Sequence, residues 1–163
     1  MMSCLRSRSM IVAVALASSA WSGPALAQGS TGEPAKPLYE RLGGLKGITL
    51  VVDDFIDRLV KNSTLNRNPE IDAGRKRSPA PYLKFHVSTL VCEVTGGPCK
   101  YIGKDMKSSH AHMNITEKEW DVMVGEFKKS LAKFRVSAKE HQELLEIVGK
   151  TKTDIVAPAG AKG

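Results

Sequence analysis

The stretch "GKDMKSSHAHMNITEKEW", Gly103–Trp120, decides how this chain is read. It holds His110 and His112, two of only 4 histidines in 163 residues. Immediately after them, Thr116 to Glu119 spell "TEKE", a capping box. In that pattern the threonine accepts from the backbone three residues on while the glutamate reaches back, so a helix starts here. A helical turn ahead of it puts Met106, His110 and Met113 on one face, at i, i+4 and i+7, with His112 projecting the other way. His110 then belongs to an apolar stripe and His112 to solvent. Taken alone, a histidine on such a stripe is more often a core residue with a satisfied hydrogen bond than a ligand.

The flanking sequence is helical throughout, with no run of alternating strand residues and no internal repeat. After the capping box, Trp120, Met123, Val124, Phe127 and Leu131 share a face. "SAKE", Ser137 to Glu140, is a second capping box, opening a helix with Leu144, Ile147, Val148, Thr151 and Ile155. The short "KFRV" between them predicts an antiparallel pair. Upstream, "LYERLGG" is a short helix stopped by a glycine pair. Leu50, Val51, Val52, Phe55, Ile56, Leu59 and Val60 then form a broad buried stripe. Leu83, Val87, Leu90, Val91 and Val94 form another, ended by "TGGPC". Between these two helices "KNSTLNRNPEIDAGRKRSPAP" has no apolar period and reads as a long irregular connection, of the kind that is functional or mobile. The fold class is all-α.

The ends carry a different message. Residues 1–27 run from a basic segment with Arg6 and Arg8 through the apolar "MIVAVALASSAW" to "ALA", the order of a cleaved secretory signal peptide. Residues 28–37 are a Gly/Pro/Ser-rich lead-in, 38–156 the folded domain and 157–163 a frayed tail. The apolar run is too short for a permanent membrane span, so no stable membrane anchor is expected. A periplasmic or secreted location follows. The net charge of +7 falls when the leader's arginines go, and the lysines lie scattered beside glutamates, which argues against a nucleic-acid partner. Cys92 and Cys99 remain after cleavage; in an oxidising compartment they suggest a disulfide, with two reduced thiols as the alternative. Cys92 lies opposite the apolar stripe of its helix, placed to reach Cys99 across the Gly96-Gly97-Pro98 turn.

His86 sits at the edge of the stripe that begins at Leu83, and His141 lies in a charged surface stretch. Read together, His86 and His110 put one imidazole on an apolar face of each of two segments. A slot lined by Leu, Val and Met with an imidazole reaching in is what haem requires, because porphyrin buries a large apolar area and iron takes a histidine nitrogen.

Here the sequence resembles the group I truncated haemoglobins over most of the mature chain. "LYERLGG" resembles the family's opening helix and "VVDDFIDRL" its distal-pocket helix. "GGPCKYIGKDMKSSH" is similar to the family's Gly-Gly hinge, Tyr-x-Gly turn and Met-x-x-x-His segment. The resemblance implies a two-over-two helical sandwich enclosing haem b, with His110 as the proximal iron ligand. His86 matches a distal-helix histidine that closes onto the iron in some relatives. Phe55, Ile56, Leu83, Val87, Met106 and Tyr101 are the further haem-contact positions it implies. Two departures stand out: Phe55-Ile56 replaces the family's Phe-Tyr, and "NRNPE" stands where a phenylalanine pair is usual. Without the tyrosine hydroxyl, tight oxygen storage and nitric-oxide dioxygenation are disfavoured. The expected partners are a small diatomic gas and, for a protein cycling between Fe(III) and Fe(II), a redox partner protein. Two rival readings are a copper protein using His110, His112 and Met113 with the two cysteine thiols, and a helical interaction domain without cofactor.

Overall fold

The computed structural model describes residues 35–158. The expected leader, most of the lead-in and the tail beyond Pro158 lie outside these residues. The elements run α1 (Leu38–Arg41), α2 (Gly44–Lys61), a 3-10 turn (Leu65–Arg67), α3 (Pro69–Arg77), α4 (Ala80–Val94), α5 (Met106–His110), α6 (Glu117–Lys133), α7 (Ala138–Gly149) and α8 (Lys152–Ile155). The only extended pairing among the described residues is an isolated bridge between Ile115 and Val156.

The glycine pair ends α1 as expected. Gly43 and Gly44 have φ of 83° and 66°, a left-handed region that other residues enter only with strain, so the chain reverses sharply into α2. Helix α2 is the centre of the fold, packing most extensively on α4 and next on α6. Its buried residues are Ile48, Val52, Phe55 and Ile56, joined in one core by Leu38, Cys92, Phe127, Leu131 and Leu144. The Phe55 and Phe127 rings meet edge-on at 5.1 Å. Each such side chain contributes about 1.5–3 kcal/mol through burial. The stripe is narrower than the sequence suggested: Leu50 and Val60 are 50% and 37% exposed, because one helix face hides i, i+4, i+7 and i+8 and leaves their neighbours to solvent.

Helix α4 corrects a second expectation. Its most buried positions are Ser88 and Cys92, not the leucines and valines, and Cys92 has no exposed surface at all. These small side chains, one turn apart, let α4 approach α2 closely. Leu83, Val87, Leu90 and Val91 are left half-buried along the flank, and Val94 is exposed. Cys92 therefore faces the core, and from there it is bonded to Cys99. Closing so short a loop stabilises the fold by about 2 kcal/mol. Reduction should lower the urea midpoint accordingly; an unchanged midpoint in reductant would contradict this.

The supposed irregular connection is largely helix. Asn68 caps α3, accepting from Glu70 N at 2.9 Å and from Ile71 N, with Pro69 at the first helical position. Acids in the first turn and Arg75, Lys76 and Arg77 in the last complement the helix dipole. Apolar periodicity is blind to a helix built on caps and charge. The same asparagine donates from Nδ2 to Met113 O at 3.0 Å, tying α3 to the segment after His110.

The capping box at Thr116 forms completely, and that at Ser137 does not. Glu140, its expected reaching partner, instead pairs with Arg41, which also holds Glu143. Helix α6 packs mainly on α2 and touches α7 much less, so the anticipated close α6–α7 pair is a minor contact. The final helix is broken: α7 stops at Gly149 and α8 packs on α5, where Ala157 N donates to Ile115 O at 2.8 Å.

One ion cluster spans α2 and α6. Asp54 accepts from Arg58 Nε at 2.6 Å, from Ser130 Oγ at 2.8 Å and from Lys133. Burial alone would raise its carboxyl, but the bonds from Lys133, Arg58 and Ser130 outweigh it and hold the group far below the usual carboxylate range. A depressed folded pKa means the stabilisation is full above the unfolded value of about 3.9 and is lost as pH falls below it. Asp54→Asn should cost about 2 kcal/mol at pH 7. The difference from wild type should shrink in denaturation curves taken towards pH 2; a constant difference would show that charge is not the cause.

Candidate functional site

Helix α5 is only five residues long and exists to carry His110. Asp105 caps it, accepting from Ser108 N at 2.8 Å, and the backbone and hydroxyl of Ser108 hold its carboxyl below the ordinary range. His110 Nδ1 lies 2.8 Å from Met106 O. A carbonyl can only accept, so Nδ1 carries the proton and donates, leaving the Nε2 lone pair free for a metal. Both Met106 and His110 are half-buried, and His112 is exposed. Met113 does not continue their face. The helix ends at His110, and Met113 packs against Gly74 of α3, where an added Cβ would lie 2.6 Å from its Cε.

His86 occupies a second, separate cluster on α4. It is half-buried, and its Nδ1 is buried with no hydrogen-bond partner among the described residues. Three rings lie against it: Tyr82 at 4.1 Å and tilted, Phe85 at 5.2 Å and Tyr101 at 6.0 Å, the last two edge-on. Tyr101 is fixed from its far end, the hydroxyl donating to Lys104 O at 2.8 Å. Burial first, then Tyr82 and Asp105, push its phenol up, so it remains a donor at neutral pH. The Tyr-x-Gly pattern has a direct reason: a Cβ on Gly103 would lie 2.3 Å from the Tyr101 hydroxyl oxygen. Tyr82 and Phe85 were missed from sequence, though Tyr82 stands one helical turn before His86, where rings meet.

Phe55 and Ile56 lie in the core, and Leu83 and Val87 pack against it. The anticipated residues thus fall into three groups: these four, His86 with Tyr101, and His110 with Met106. They fit a haem. One imidazole has an oriented proton and a free lone pair, a second has an orphaned nitrogen, and the α4 flank offers half-buried apolar surface with Tyr82 and Phe85 51% and 56% exposed. A recess of about 280 Å³ lined by Thr64, Arg67, Asn68, Thr116, Lys118 and Glu119 is polar and includes neither histidine. Of the donors in the copper reading, the two cysteines are bonded to each other and Met113 packs against Gly74, off the face of His110. Among the described residues no helix is long and apolar enough to cross a membrane.

The family profile described as bacterial-like globin matches residues 37–157. The group 1 truncated hemoglobin GlbN of Nostoc sp. (strain MUN 8820) is 27% identical over 119 residues, covering 73% of this chain and 96% of that protein. The group 1 truncated hemoglobin LI410 of Chlamydomonas moewusii is 22% identical over 138 residues, covering 81% and 77%. Among solved structures, the truncated hemoglobin of Tetrahymena pyriformis in its Fe(III) form matches with a TM-score of 0.66 at 20% identity, covering 75% of this chain and 99% of that one. The 2/2 hemoglobin from Synechococcus sp. PCC 7002, in the cyanomet state with covalently attached heme, matches with a TM-score of 0.65 at 22% identity, covering 74% and 98%.

Proposed function

This chain belongs to the bacterial-like globin family, and we propose that it is an exported haem protein that binds small diatomic gases, with His110 as the proximal iron ligand and His86 on the distal side. Its fold is the two-over-two helical sandwich of the truncated haemoglobins. Its cofactor is haem b. The contact between His110 Nδ1 and Met106 O, 2.8 Å, carries the assignment of the proximal ligand. It fixes the tautomer and ring orientation and makes Nε2 a better donor, as the partners of metal-bound histidines do.

When bound, haem supplies an iron that takes oxygen, nitric oxide or carbon monoxide reversibly and exchanges one electron between Fe(III) and Fe(II). Leu83 and Val87 keep water from the distal side. Ile56 offers no hydroxyl, so the polar role there falls to His86. Its unpartnered Nδ1 and loosely exposed ring neighbours leave it able to swing inward as an internal ligand, which favours electron transfer or redox sensing over oxygen storage. The bond between Cys92 and Cys99 supports an oxidising compartment, in keeping with the leader.

A visible spectrum of purified protein tests the reading. A Soret band with distinct ferric and ferrous forms is expected; protein that takes up no haem would overturn it. Mass measurement of exported protein should find the chain beginning at Gln28 with both cysteines oxidised. A retained leader would refute the export proposal.

A further inference from the structure

The geometry points to thiol–disulfide control of the distal imidazole: the Cys92–Cys99 bond holds Tyr101 against His86, and breaking it releases both. The inference rests on the reading of His86 as the distal residue. Cys99 is two residues before Tyr101, so the bond anchors the chain entering the ring's position. The connecting turn is pressed home as well. A Cβ on Gly97 would lie 2.5 Å from the Tyr39 ring and 2.7 Å from Cys92 Sγ.

Beyond the bond, the hydrogen bonds of Tyr101 among the described residues are exposed ones, from its N to Glu93 Oε2 at 3.2 Å and from its hydroxyl to Lys104 O within its own turn. Such bonds are weak in water, which makes the covalent link the main tether to α4. His86 in turn has no hydrogen bond at Nδ1 to fix it. Two of its three ring neighbours, Tyr82 and Phe85, are more than half exposed. Tyr101 is the anchored wall of this cradle. It acts through His86 and is a positioning residue.

The chemistry requires a dithiol reductant. A thiolate reaches the bond at Cys99, half-buried between exposed Pro98 and Lys100, because Cys92 is wholly enclosed. Attack breaks the S–S bond, and Cys92 leaves as a thiolate that takes up a proton. The reductant's second thiol then closes its own disulfide and frees Cys99 as a thiol. Two electrons and two protons pass to the protein, and the dithiol is oxidised.

The test uses haem-loaded protein, oxidised or treated with dithiothreitol, with free thiols counted. The readouts are the NMR signals of the His86 ring in the ferrous carbon monoxide form and the carbon monoxide association rate. Reduction should move the His86 signals and change the rate by roughly fivefold, the low end of coupling between sites. Gly103→Ala, which displaces the Tyr101 ring without touching a cysteine, should reproduce the reduced behaviour in oxidised protein. Moving signals with an unchanged rate would uphold the coupling and overturn His86 as a distal ligand. Unmoved signals in protein with two free thiols would overturn the coupling, as would a Gly103→Ala protein with wild-type signals.

Discussion

His110→Ala should strip the protein of stably held haem: the Soret band collapses on gel filtration, and haem affinity falls on the order of a hundredfold or more. Losing only a partner that orients a metal-bound histidine typically costs tenfold to a hundredfold, and here the bond itself goes. The apolar surface of α4 survives the change, so some loose haem association should persist. The polypeptide should remain folded, because His110 lies on a five-residue helix outside the buried core. Added imidazole should restore part of the spectrum by filling the vacated position. His112→Ala, at an exposed site two residues away, should change nothing. Normal haem affinity in His110→Ala would overturn the proximal assignment, and loss of haem in His112→Ala would move the iron ligand to His112.

The second large effect is spectroscopic. With His86 coordinating at rest, ferric and ferrous wild type should both be six-coordinate and low-spin. His86→Ala should then keep its haem, turn high-spin and bind carbon monoxide faster, since no internal ligand has to leave first. If His86 only donates to a gas ligand, the resting spectrum should stay as it is and ligand dissociation should speed up. The structure favours the first outcome because the ring has no hydrogen bond to break at Nδ1 before it moves. A wild-type spectrum that is high-spin in both oxidation states would refute internal coordination.

What could be read from sequence was what repeats at helical spacing or closes within four residues. Met106 and His110, the Thr116–Glu119 box and the glycine pair after α1 all behave as read, because each depends on a neighbour one turn away. The misreadings depend on distant partners. Glu140 leaves its cap for Arg41, about a hundred residues earlier in the chain, a competition no local pattern reveals. Cys92 is buried deeper than the valines beside it because close approach of α4 to α2 rewards small side chains over large ones. Helix α3 escaped notice because its signals are Asn68, Pro69 and graded charge rather than apolar spacing. The cradle of His86 was half anticipated: Tyr101 came with the family resemblance, whereas Tyr82, although only one helical turn away, was missed.

The placement of α8 bears on the order in which this molecule can assemble. A helix as short as α5 does not persist in water alone. Its neighbour is α8, secured by Ala157 N on Ile115 O, so the turn that carries His110 is stabilised by chain made more than forty residues later. A nascent polypeptide reaching Gly149 already has both histidines, yet the turn that carries His110 still lacks its support. Ordering of this turn is thereby deferred until the chain has passed Ala157, by which time the long helices are already complete.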